Sequence, residues 1–151
     1  MVKILTSTEL AKEAYKIIEK VSEECSDDVK ESVRSRCREL YSYLFKAGIL
    51  STISYIYAKA EEVLVKNAFR WLTGLSKMPP EGREDAGYAI YGASFCILFE
   101  KINLSKNDAS LGKLIESLTS SPENLMVIED QALRFAGWLK KFAEALITKV
   151  Q

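Results

Sequence analysis

Residues 121–147, SPENLMVIEDQALRFAGWLKKFAEALI, decide the fold. Ser121-Pro122-Glu123 opens as a helix should, with a serine cap, a proline in the first helical position and an acid in the first turn. Leu125, Ile128, Ala132, Phe135, Leu139, Phe142, Ala143, Leu146 and Ile147 then recur by threes and fours. A helix with one apolar stripe must bury it against other elements, and the rest of the chain supplies helices.

Upstream, a short helix over about Leu111 to Leu118 follows a polar loop, Asn103 to Ser110. Before it, Glu84 to Ile102 is helical, with Ala86, Ala89, Gly92 and Ala93 small enough for a neighbour to approach closely. Met78-Pro79-Pro80-Glu81-Gly82 is the clearest loop. Leu50 to Lys66 is apolar over much of its circumference, which places it centrally, and a break is expected near Asn67 before a short helix to Leu75. Asp28-x-x-Glu31 reads as the start of a helix carrying Val29, Val33, Cys37, Leu40, Tyr41 and Leu44 and stopping at Gly48. Thr6-x-x-Glu9 is a capping box for a first helix from about Glu9 to Cys25. No strand competes, so the reading is all-α: one domain over residues 1–151, a compact bundle of five to seven helices.

Composition narrows the chemistry. The 151 residues hold no histidine, which excludes Ser-His-Asp and Cys-His centres and histidine-ligated zinc or haem. Three cysteines, Cys25, Cys37 and Cys96, form no C-x-x-C and suit neither a disulfide framework nor a thiolate metal site; they read as small buried hydrophobes in a reducing cytosol. No signal peptide or membrane span is read, and a cytoplasmic protein is expected. Neither phosphate-loop motif occurs, and adjacent acids such as Glu61-Glu62 point about 100° apart on a helix. No cofactor or metal is expected, and nothing marks a catalytic base.

Lysine plus arginine equals aspartate plus glutamate at 21 each, yet the charge is segregated. Residues 1–31 carry −3, 32–83 carry +5, 84–130 carry −5 and 131–151 carry +3. On the second helix Lys30, Arg34 and Arg38 are spaced by four; on the last, Arg134 and Lys141 flank Trp138 opposite the core stripe. Bases around an aromatic suit a nucleic-acid backbone or a partner's face, although Trp138 at the edge of the core fits the same spacing.

Two stretches carry a resemblance. Gly48-Ile49-Leu50-Ser51-Thr52-Ile53-Ser54-Tyr55-Ile56-Tyr57-Ala58-Lys59-Ala60-Glu61 and Gly137-Trp138-Leu139-Lys140-Lys141-Phe142-Ala143-Glu144-Ala145-Leu146 resemble the small helical, Cmr-type subunit of type III-B CRISPR effector complexes. The resemblance implies a non-catalytic role: copies stack into a short filament beside the guide RNA, and their basic residues line the channel for target RNA. Backbone contact suffices there, because guide–target pairing reads the sequence. By position, Lys59, Trp138, Lys140 and Lys141 match the family pattern; Arg34, Arg38 and Arg134 are added from the face argument. The expected partners are other subunits of the complex, guide and target RNA, and further copies of the chain, with no membrane. The rival readings are a helical adaptor or dimerisation module without a nucleic-acid role, and an enzyme using carboxylate or lysine chemistry.

Overall fold

Thr6 and Glu9 cap the first helix reciprocally: Thr6 Oγ1 accepts from the Glu9 amide, and Glu9 Oε1 from the Thr6 amide, each at 3.1 Å. Helix α1 (Ser7–Glu24) follows. The computed structural model describes residues 1–82, 84–105 and 109–147, so the loop expected over 103–110 lies partly outside the described residues. Helix α2 (Asp27–Ala47) is capped by Ser26, whose hydroxyl accepts from the Val29 amide, rather than by Asp28. Asp27 and Asp28 instead occupy the first turn, where the helix dipole favours acids.

The single helix expected over residues 50–66 is two. Helix α3 (Ile49–Lys59) ends at Ala60, which is extended, and α4 (Glu62–Leu72) runs unbroken through Asn67. The cause lies far along the chain. The Glu62 carboxylate accepts from Ser110 Oγ at 2.7 Å and from the Leu111 amide at 2.8 Å, satisfying the open start of α6 (Leu111–Ser120). Between them lies α5 (Glu84–Lys101). Ser121 makes no side-chain cap; Pro122–Asn124 form a 3-10 turn, and α7 (Leu125–Leu146) begins after it. Seven α-helices and no strand stand among the described residues.

Helix α5, not α3, is central. Every residue from Ala86 to Phe99 is buried, whereas α3 exposes Ser51, Ser54, Ala58 and Lys59. Helices α2 and α4 pack along α5, and α7 lies between α1 and α2. A Cβ at Gly87 would meet the Arg36 side chain and the Ser32 backbone at 3.0 Å, so only glycine permits the close α2–α5 crossing. Phe95 anchors the core, with Tyr91 and Phe99 along α5 and Phe135 edge-on from α7 at 5.6 Å. Buried Gln131 ties the N-terminal segment to α7, accepting from the Leu5 amide and donating to the Lys3 carbonyl. The three cysteines are buried and none is in a disulfide, and burial pushes the Cys25 and Cys37 thiols up to about 12. None of the described helices is long and apolar enough to cross a membrane.

The Tyr91 hydroxyl is buried without a hydrogen-bond partner. Burial, with Cys37 as a lesser contributor, pushes its pKa well up. An orphaned buried hydroxyl forfeits about 1–3 kcal/mol of solvation. Tyr91→Phe is therefore expected to raise unfolding free energy by about 1 kcal/mol in urea titrations, where most core substitutions lower it. A loss of stability would place a bound water on that oxygen.

Candidate nucleic-acid interface

Helices α2 and α7 run antiparallel. Arg38 faces Glu144, Tyr41 faces Gly137, and Gly48 faces Glu129. Along this seam lies an open groove of about 540 Å³, lined by Tyr41 from α2, by Arg134, Gly137, Trp138, Lys140 and Lys141 from α7, and by Ser7 at the start of α1. Four of the seven candidate residues thus share one groove. Arg38 reaches its rim through Glu144, 3.6 Å away.

The electrostatics leave these bases available. Arg134 pairs with Asp130 at 3.1 Å, but both side chains are more than half exposed. Exposed pairs of this kind contribute about 0.2–1 kcal/mol, which a phosphate can match. The Lys140 ammonium lies over the Tyr41 ring at 5.2 Å and that of Lys141 over Trp138 at 4.8 Å. Both lysines stay in the groove and keep their donors. Counting Arg38, Arg134, Lys140 and Lys141 against Asp130 and Glu144, the groove with the ion pairs at its rim carries a surplus of two positive charges.

Trp138 is half-buried rather than exposed. Its indole N–H donates to Ser7 Oγ at 3.3 Å, and its ring stacks on Phe142 with centroids 5.5 Å apart. Arg34 lies one turn before Arg38 on α2, and its half-buried guanidinium has an Nε without a partner. Lys59 is not brought to the groove: on α3 it lies over Tyr55, which joins Tyr43 and Tyr88 in an aromatic run on the opposite flank of α2. Arg36 sits over Tyr88 in that run and bonds its hydroxyl at 2.6 Å. Sequence reasoning missed Tyr41 and Gly137 as parts of the groove. The signal for Tyr41 was present, since it stands three residues after Arg38 and seven after Arg34, on one helical stripe.

Residues 6–146 match the CRISPR-associated protein family Cas_Cmr5. The chain belongs to that family. No curated protein matches the sequence. Two solved structures share the fold of this Cas_Cmr5 chain. One is a chain of the type III-B Cmr-beta assembly bound to cognate target RNA and AMPPnP, in its first state, determined by cryo-EM: TM-score 0.74, 21% identity, 94% of this chain and 96% of that one. The other comes from the type III-B Cmr-beta complex bound to non-cognate target RNA, with the same score and identity over 97% and 99%. At that identity the likeness concerns the fold.

Proposed function

We propose that this Cas_Cmr5 chain is a non-catalytic small subunit of a type III-B RNA-guided effector complex, holding the target RNA backbone on the α2–α7 seam and stacking against neighbouring subunits. The observation that carries the reading is the convergence of Arg38, Arg134, Lys140 and Lys141 along one groove from two helices. The family match and the two Cmr-beta structures of the same fold support the setting. Arg34 extends the row beyond Arg38, and Lys59 serves a separate contact across α2. Phe45 and Met126, 70% and 85% exposed at the Gly48–Glu129 end of the seam, offer neighbouring subunits an apolar contact. Those two side chains are also what a protein adaptor without RNA would use.

Zero net charge limits what one copy does alone. A single subunit neutralises few phosphates, so it binds RNA weakly with a shallow salt slope, and several copies side by side supply the affinity. Co-purification with a tagged chain, followed by mass spectrometry and RNA sequencing, tests this. Recovery of several RNA-binding subunits with short guide RNAs is the expected result. Recovery of one unrelated protein and no RNA would replace the reading with the adaptor.

A further inference from the structure

We infer that the free chain pairs with a second copy through α2, antiparallel across a twofold axis, and that this pairing covers two arginines of the RNA seam; the second half rests on the reading above. Asp27, Glu31, Arg34 and Arg38 follow one another by four, three and four residues, so they share one stripe of α2. The stripe runs beside the buried one of Val29, Val33, Cys37, Leu40 and Leu44, and it is uncovered: Asp27, Glu31 and Arg38 are exposed and Arg34 is half-buried. Its charges read minus, minus, plus, plus, an order that is its own complement when reversed. Two such stripes laid antiparallel set Asp27 of each copy opposite Arg38 of the other, and Glu31 opposite Arg34, across an axis between Ser32 and Val33. Every charge of both stripes is then matched. A slip of one turn keeps only Glu31 with Arg38 or Asp27 with Arg34, and a parallel arrangement sets like charges together.

Partners within the chain leave the stripe open to a second copy. Among the described residues Glu31 has no ion pair, and Arg34 Nε has no hydrogen-bond partner. Asp27, 82% exposed, has Lys30 at 4.0 Å, and Arg38 has Glu144 at 3.6 Å; surface pairs of this kind are worth little and are readily exchanged. RNA answers half of the stripe, since its phosphates suit Arg34 and Arg38 but are repelled by Asp27 and Glu31. A second copy answers all of it. Because the axis is twofold, the pair closes on itself and does not lengthen into a filament, so it is a state of the unassembled subunit. RNA and the second copy then compete for Arg34 and Arg38. The contact is made of exposed ion pairs, so it is weak and sensitive to salt.

Sedimentation equilibrium of the full chain in concentrated solution, without RNA, tests the pairing. Dimers are expected at about 50 mM salt, with association about tenfold weaker at about 500 mM, where charges are screened over a few ångströms. Glu31→Arg and Arg34→Glu each set like charges against one another across the axis, and each is expected to weaken association about tenfold or more. Mixed in equal amounts, the two variants are expected to pair as the unaltered chain does, because each supplies the charge that the other has reversed. That rescue also shows both to be folded. A monomer at low salt, a dimer that Glu31→Arg leaves intact, or a mixture that stays monomeric would each overturn the pairing. Added oligouridylate is expected to convert the dimer into RNA-bound monomer. Oligouridylate held by the intact dimer would overturn the competition and leave the pairing standing. Failure of the Glu31→Arg chain to bind oligouridylate, although its stripe carries one more base, would overturn the RNA reading and the competition together, with the pairing still decided by sedimentation alone.

Discussion

Replacing Lys140 and Lys141 together by glutamate is expected to lower target-RNA affinity of the assembled complex by about tenfold or more at physiological salt. The two residues are adjacent on α7, yet both line one groove, because Lys140 leans over Tyr41 toward α2 and Lys141 over Trp138. Each reversal removes one phosphate partner and sets a like charge against the next. The salt dependence should flatten at the same time, by about 0.7 in log–log slope for each phosphate of the single strand that is no longer neutralised. The fold should survive. What the substitutions remove from it is two cation–π interactions of about 0.5–1 kcal/mol each at an exposed surface. Circular dichroism of the isolated variant should therefore show native helicity with melting lowered by only a few degrees. Filter binding on reconstituted complexes, with the variant in every copy, supplies the affinity. Unchanged affinity and slope would move the RNA surface off the seam, to the Arg36–Tyr88–Lys59 flank of α2 or off this subunit.

The two flanks of α2 show what a one-dimensional reading reaches. Arg38 and Tyr41 turn to α7, while Arg36, Glu39 and Tyr43 turn to α3 and α5. Periodicity separates those sets, but it does not say which helix each set meets. Arg134, Trp138, Lys140 and Lys141 were legible as one group because they lie within two turns of a single helix. Tyr41 was not grouped with them: its place three residues after Arg38 was legible, but it also continues the apolar stripe of Val33, Cys37 and Leu40, and so reads as core until α7 is seen to pack Gly137 against its ring. Lys59 failed to join for the matching reason: its place depends on where α3 ends.

That end is itself a tertiary fact. Residues 50–72 have helix-compatible sequence throughout, and no glycine or proline marks Ala60. The chain breaks there because the Glu62 carboxylate is held at the start of α6, 48 residues or more away in sequence. The central place of α5 was hidden differently. Its residues are apolar on all sides, so no stripe stands out, whereas α3 pairs an apolar face with Ser51 and Ser54 that spacing alone does not turn outward. Capping boxes and stripes, by contrast, are local, and α1 and the α7 core came through with shifts of a few residues at their ends.

Gly48→Val should be among the most destabilising single changes in the chain, lowering unfolding free energy by about 3–5 kcal/mol, the sum of two independent effects. Gly48 closes α2 and opens α3 at φ 87° and ψ 172°, a region of backbone space that belongs essentially to glycine. A Cβ there would also lie 2.6 Å from Glu129 Oε1. That oxygen accepts from the Ile49 amide at 3.0 Å, serving the start of α3, where Gly48 has no side chain to do so. The valine thus strains the turn and expels the carboxylate that caps it. Guanidinium unfolding of the four members of a double-mutant cycle separates the two parts. In a Glu129→Ala background the clash and the capping bond are already gone, so Gly48→Val should cost only the strain, about 2 kcal/mol. Equal costs in both backgrounds would show that Glu129 rotates away without penalty, leaving backbone strain as the whole reason for a glycine at the head of this helix. The same carboxylate joins α7 to the α2–α3 corner five residues before Arg134, so the cycle also measures how firmly the groove's far wall is held.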